Sequence, residues 1–111
     1  MILFTSMDSI PKETQEHLDK FFGNEVKRIR YDRERTQASF SEGMHCSERH
    51  LVEIEAGRST PSATILLCLL AALKPEQRFD LIDRLIDETR AQLHIKIMRR
   101  EGSLLGDTIP V

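Results

Sequence analysis

The chain has 111 residues, a size typical of one domain, and its 16 basic and 18 acidic side chains give a net charge of -2. Tryptophan is absent and aromatic residues make up only 5% of the chain, so aliphatic side chains must fill the core, which favours packed helices over an aromatic-rich β-sandwich. No apolar run is long enough to span a bilayer, and the charge total gives no indication of a polyanionic partner.

The first third of the chain predicts two helices. Residues 1–9 show no clear period, but Pro11 suits the first turn of a helix, and the segment PKETQEHLDKFF predicts a short helix that ends near Gly23. The following segment NEVKRIRYDRER predicts a second helix, because Val26 and Ile29 recur at helical spacing. Its outer side is the most basic stretch of the sequence.

The middle of the chain predicts two short helices joined by a tight turn. Thr36 and Ser47 are favourable N-caps for them, and Gly57 is well placed to end the second helix in a left-handed conformation. The inward side of the pair is predicted to consist of Phe40, Met44, Leu51 and Ile54.

Two further helices are predicted downstream. The segment ATILLCLLAAL is apolar on nearly every face, which predicts a helix buried at the centre of its domain. After Lys74-Pro75, residues 77–92 form an amphipathic pattern. Residues 93–98 fit both a helix and a strand, and their alternation slightly favours a short extended segment. The tail 102–111 is predicted to be mobile.

Several short matches in register give the chain a resemblance to a known family. FGNEVKRIR resembles the family's first helix, Thr36-Gln37 its Ser-Gln, Ser47 the start of its recognition helix, IEAG at 54–57 its Ile-Glu-x-Gly, and Pro61-Ser62 the Pro-Ser of its fourth helix. The chain thus resembles the lambda-repressor-like (Xre/Cro) helix-turn-helix domain.

The resemblance implies an all-α fold. A five-helix lambda-repressor-like helix-turn-helix domain would occupy residues 22–74, after an N-terminal extension with an extra helix in residues 1–21. A C-terminal amphipathic helix, with or without a short dimerising strand, would occupy residues 75–101, ahead of the tail 102–111.

The turn departs from the family pattern. The family commonly has Leu-Gly-Val-Ser where this chain has Met44-His45-Cys46-Ser47. If His45 takes a positive φ in place of glycine, the cost is about 1 kcal/mol, which a folded domain tolerates.

The resemblance also implies a salt bridge between Arg30 and Glu55, which would fix the recognition helix against the first helix and serve a structural role. The alternative is that both are solvated surface charges.

The same resemblance places the helix 47–56 in the major groove of DNA. Side chains opposite Leu51 and Ile54 would then read bases, namely Glu48, Arg49, His50, Val52 and Glu53. Backbone phosphates would be bound by Gln37, Arg33, Arg35, Arg58, Ser59 and Thr60. The alternative is an ordinary solvated helix face.

The expected partners are double-stranded DNA and a second copy of the chain, since paired domains read palindromic sites. The expected dimer interface comprises Phe79, Ile82, Leu85, Ile86, Leu93, Ile95 and Ile97. The alternative is that this region folds back on its own domain.

The layout weakly resembles that of some bacterial antitoxins, which leaves open a protein partner such as a toxin. A protein-interaction module that keeps the fold with little DNA binding is therefore the second hypothesis, supported by the balanced charge. We expect no enzyme activity, catalytic residue, cofactor or metal site, because no nucleophile motif, phosphate-binding loop or metal-ligand spacing occurs. Two cysteines without such spacing and the absence of a signal-peptide pattern predict a cytoplasmic protein with no membrane contact.

Overall fold

A computed structural model describes the backbone of residues 10–101 and the side chains of residues 10–94. Five helices follow one another in that span: α1 (Lys12–Asp32), α2 (Gln37–Gly43), α3 (Glu48–Glu55), α4 (Ala63–Ala72) and α5 (Pro75–Glu101). No strand occurs between residues 10 and 101, which confirms the all-α prediction. None of these five helices combines the length and apolarity that crossing a membrane requires. The predictions for residues 1–9 and for the tail 102–111 lie outside the described residues.

Helix α1 is continuous, so the predicted break near Gly23 and the separate N-terminal helix are wrong. The predicted boundary between residues 21 and 22 falls inside it. Gly23 is buried, and the backbone of α3 packs directly against it. A Cβ at this position would lie 2.2 Å from the carbonyl oxygen of Ile54. Glycine therefore serves here for close helix packing, at a small cost in helix propensity.

The core lies where α1, α2 and α3 meet. The residues predicted to face inward are buried, namely Val26, Ile29, Phe40, Met44, Leu51 and Ile54. Phe22 from α1, Leu69 from α4, Leu73 just after α4 and Leu81 from α5 belong to the same cluster. The helical spacing of apolar residues thus identified the inner faces of the first three helices correctly.

Helix α4 is not the buried central helix that its composition predicted. Among its residues only Leu69 is buried, while Leu67 is 64% exposed. Ile65, Leu66 and Leu70 are partly buried against the core, so the helix uses one side for packing. An apolar run indicates a need for burial, but it does not specify which other element supplies the cover.

Helix α5 continues to Glu101, so the predicted extended segment at residues 93–98 is wrong. The spacing of Thr89, Leu93 and Ile97 predicted a helix, and the alternation predicted a strand. The helix forms because extending a helix of several turns needs no new nucleation. The side chains of Ile95 and Ile97, both predicted at the dimer interface, lie outside the described residues.

Helix α5 also folds back on its own domain along α1. Leu81 is buried, and Leu85, which we expected in a dimer interface, packs against the core of its own chain. Other members of the predicted interface face away from that core: Phe79 is 64% exposed, Ile86 42% and Leu93 39%. Ile82 is partly buried. The part of the helix with described side chains is therefore apolar on two sides, and the described residues cover one of them.

Candidate functional site

Two short capped helices and the turn between them form the centre of the predicted site. The Thr36 hydroxyl accepts a hydrogen bond from the Ser39 backbone N–H at 3.1 Å, and the Ser47 hydroxyl accepts one from that of His50 at 3.0 Å. Both side chains thus satisfy backbone donors at the starts of α2 and α3, as predicted. His45 takes a φ of 59° in the turn, the left-handed conformation expected if it replaces glycine.

The end of α3 is fixed by close backbone packing against α1. Gly57 has a φ of 76°, so it ends the helix in the predicted left-handed conformation. A Cβ at Gly57 would lie 2.6 Å from the Cγ of Lys20 in α1. Together with the contact of Gly23 against α3, this leaves little freedom in how the two helices cross.

A buried salt bridge joins the same two helices. The Nε of Arg30 donates to Glu55 at 2.7 Å and its Nη2 donates to the other carboxylate oxygen at 2.9 Å, so the structure brings together the pair that the resemblance implied. Both side chains are buried. The hydrogen bonds to Glu55 raise the pKa of Arg30 above its ordinary value. This charge-assisted pair holds α3 in one orientation on α1.

Two further hydrogen bonds complete the polar cluster around Glu55. Gln37, which we expected to bind phosphate, donates its amide N–H to Glu55 at 3.0 Å. The Nη1 of Arg30 donates to the backbone carbonyl of Arg35 at 3.0 Å. The start of α2 is therefore tied to the same buried carboxylate as α1.

The outer side of α3 carries the predicted base-reading residues. Glu48 and Arg49 are exposed, whereas His50, Val52 and Glu53 are partly buried. All five lie on the half of the helix that is turned away from buried Leu51 and Ile54 or on its flanks. The two exposed side chains, Glu48 and Arg49, lie in the first turn of α3, directly after its N-cap Ser47.

Glu53 and Arg58 form a pair on the surface of α3 and the loop after it. The Nε and Nη2 of Arg58 each donate to a different oxygen of Glu53 at 2.9 Å. The hydrogen bonds lower the pKa of Glu53 and raise the pKa of Arg58. One predicted base reader and one predicted phosphate ligand are thus engaged with each other.

The remaining predicted phosphate ligands are spread over the molecule. The Nη2 of Arg33 donates to the carbonyl of Ala72 at 3.1 Å, at the end of α4. The Nη1 of Arg35 donates to the Ser39 hydroxyl at 2.9 Å. The structure therefore does not bring Arg33 together with Arg58, Ser59 and Thr60.

Thr60 follows α3 in the loop that leads to α4. Its hydroxyl donates to the carboxylate of Asp19 in α1, with both oxygens 2.9 Å away, while neighbouring Ser59 is partly buried. The loop that was predicted to contact the DNA backbone is thus held to α1 by a side-chain hydrogen bond.

A second carboxylate cluster, which the sequence did not indicate, joins α1 to α5. Glu25 is buried, and its oxygens accept hydrogen bonds at 2.8 Å from Arg28 and from Arg84. Burial alone would raise the pKa of Glu25, but the hydrogen bonds and charges of Arg84 and Arg28 outweigh it and the pKa is lowered. His17 and Glu88 form a further contact between these helices. The i, i+3 spacing of Glu25 and Arg28 was visible in the sequence, whereas the partner 59 residues away was not.

The lowered pKa of Glu25 predicts a loss of stability in acid. A carboxyl whose pKa is depressed by folding contributes stability above its ordinary value of 4.5, and that contribution is lost as the pH falls through the lower, folded-state pKa. Urea unfolding at a series of pH values should show a steeper decline below pH 4.5 for the wild type than for Glu25→Gln. Equal slopes for the two proteins would contradict this assignment.

The described side chains provide no grouping for metal chemistry. Among residues 10–94, no three His, Cys, Asp or Glu side chains lie close enough together to hold a metal ion. Cys46 and Cys68 are free and partly buried, and burial together with the nearby Cys68 raises the pKa of Cys46.

Comparison with known proteins identified no relative of the chain. No protein-family model, no curated protein and no solved structure matches the chain.

Proposed function

We propose that the chain is a sequence-specific DNA-binding transcriptional regulator, with residues 22–74 forming a lambda-repressor-like helix-turn-helix domain and α3 entering the major groove. Two copies would act together as a repressor or autoregulator on a palindromic operator. The observation that carries the proposal is the mounting of α3. A buried bridge and two close glycine contacts fix it on α1, while Glu48 and Arg49 at its start remain exposed.

A rigid, half-exposed short helix suits the direct reading of base edges. A helix already fixed in its bound orientation need not be ordered on binding, and a small error in helix orientation would misplace every contact. Arg49 is suited to guanine, whose O6 and N7 accept two hydrogen bonds, and Glu48 is suited to the amino group of cytosine. Val52 would then contact a thymine methyl group, and His50 the edge of the groove.

The charges around α3 favour selective rather than general DNA binding. The surface around α3 carries two acidic side chains, Glu48 and Glu53, and two basic ones, Arg49 and Arg58, so its charge is balanced. Phosphate neutralisation supplies most non-specific affinity, and here it would be small. Glutamates that lack a cytosine partner would repel the duplex, which makes mismatched sites unfavourable. We therefore expect weak binding to arbitrary DNA.

The test is selection of bound sequences from random DNA, followed by mobility shifts on the selected site. Arg49→Ala should weaken binding about tenfold or more, as expected for the loss of one bidentate guanine contact. Arg28→Ala is the matched control: it removes the same charge from the side of α1 that faces α5, where Arg28 binds Glu25, and should leave affinity near wild type. No selected sequence at low salt, or equal losses for both variants, would contradict DNA reading.

A protein-interaction module, like an antitoxin that engages a toxin, is the second candidate. The observation in its favour is that Arg33 and Arg58, two of the cations expected to bind phosphate, are engaged within the chain. On this alternative the surface of α3 binds protein, and failure to select any DNA would favour it.

A further inference from the structure

We infer that α5 pairs with α5 of a second copy, antiparallel and about a two-fold axis close to Ile86. This inference deepens the proposed function by naming the surface through which two copies meet, but it requires no DNA binding. It rests on the uncovered side of α5 and on the charges that border it.

The uncovered side forms a regular apolar stripe. Phe79, Ile86 and Leu93 follow one another at intervals of seven residues, and all three are exposed. At about 100° per residue they point roughly 120–160° away from Leu81, which is buried in the core. Residues seven apart stay on the contact line of two helices that pack side by side in a left-handed pair. Covering exposed phenylalanine, isoleucine and leucine side chains with another apolar surface is favourable in free energy.

The stripe is self-complementary about Ile86. In an antiparallel pair centred there, Ile86 meets its own copy, and Phe79 meets Leu93 of the second chain on both sides of the axis. Exposed Asp83 and Arg90 border the stripe on one edge, three residues before and four residues after Ile86, so they lie close to symmetrically about this centre. Each Asp83 would therefore face Arg90 of the other copy, giving two opposite-charge pairs. This match of shape and charge identifies a second copy of the chain as the partner.

The other edge of the stripe disfavours a parallel pair. In a parallel pair, one edge of the stripe on each helix packs beside the opposite edge on the other helix, so both edges must be free. Here the second edge is occupied by the chain itself: Arg78 donates to the carbonyls of Leu70 and Leu73, and Leu85 packs against the core. A pair that packs through the stripe and the free edge, which carries Asp83 and Arg90, brings that edge against its own copy only when the helices run in opposite directions.

Cysteine cross-linking of the full chain without DNA tests the geometry. Under mild oxidation, Ile86→Cys should form disulfide-linked dimers, because the residue lies at the axis. Phe79→Cys alone should not, whereas a mixture of Phe79→Cys and Leu93→Cys should form mixed dimers. The wild type, with its own partly buried Cys46 and Cys68, gives the background. Self-linking of Phe79→Cys as efficient as that of Ile86→Cys would overturn the antiparallel pairing.

Charge exchange tests the same interface without cysteines. Asp83→Arg or Arg90→Asp should each raise the dimer dissociation constant about tenfold or more, since each replaces two attractions by two repulsions. The double variant Asp83→Arg, Arg90→Asp should restore a value near wild type. Both residues are exposed, so circular dichroism should show folded protein throughout. A monomeric wild type at several hundred micromolar, or a double variant as weak as the single ones, would overturn the proposal. Loss of DNA binding with an intact dimer would instead contradict the proposed function.

Discussion

Replacing Glu55 with alanine is expected to lower the free energy of unfolding by about 3–5 kcal/mol, because it leaves a buried guanidinium without its counter-charge. Arg30 donates two of its hydrogen bonds to this carboxylate, and Gln37 donates a third. For a domain of this size, the unfolding midpoint should fall by about 10–20 °C. Thermal and urea unfolding followed by circular dichroism measure both quantities.

Glu53→Ala is the matched control for this prediction. It makes the same substitution two residues earlier on the same helix and breaks a pair with the same two-hydrogen-bond geometry. The Glu53 pair is exposed to solvent, so its loss should leave the unfolding midpoint near that of the wild type. Equal losses for the two variants would show that burial of Arg30 and Glu55 does not control the stability of this contact.

A double replacement distinguishes the net contribution of the Arg30–Glu55 pair to stability from the penalty of leaving one buried charge unpaired. Arg30→Met combined with Glu55→Leu removes both buried charges and restores apolar volume, so it should be clearly more stable than Glu55→Ala. A further loss in the double variant would mean that the two side chains contribute independently.

Features fixed by local chemistry were predictable from the sequence. A cap needs only the backbone of its own helix, so Thr36, Ser47 and Gly57 could be assigned from type and position. The contact of Arg30 with Glu55 spans 25 residues, and no local pattern contains it. Only the family resemblance suggested that pair.

The predictions for Gly23 and for the apolar helix α4 were wrong because the same residue types occur in more than one structural setting. Gly23 can end a helix or let two helices approach closely, and the local sequence is the same in both cases. The apolar residues of α4 indicate a need for cover but do not say how much of the helix its own domain covers.

The exposure of the candidate site was easier to predict than its internal contacts. The outward direction of Glu48 and Arg49 follows from the helical period once Leu51 and Ile54 are taken as inward. The pairing of Glu53 with Arg58 depends on how the chain leaves α3, and a sequence of loop residues does not fix that path. Several residues assigned to DNA through the family resemblance, such as Glu53, Arg58 and Gln37, therefore have partners within the chain.

The second large effect is expected at Gly23. Gly23→Ala should cost about 3 kcal/mol in stability, near the upper end for an overpacked site, because the added methyl carbon would meet the Ile54 carbonyl at 2.2 Å and that of Glu55 at 3.0 Å. Both obstacles are backbone atoms of a helix, which cannot rotate away as a side chain would. The helices must separate, which also disturbs the neighbouring bridge at Glu55.

Gly43→Ala gives the opposite result and serves as its control. Gly43 is also helical, but nothing lies within 4 Å of a Cβ built there. The substitution should therefore stabilise the protein by about 0.4–1 kcal/mol, through helix propensity and a less flexible unfolded chain. The two variants change one glycine to alanine in each case, so the sign of the effect depends only on the space around the new methyl group. If Gly23→Ala were as stable as Gly43→Ala, α1 and α3 could not be in backbone contact, and the proposal of DNA reading would lose the rigid attachment of α3 on which it rests.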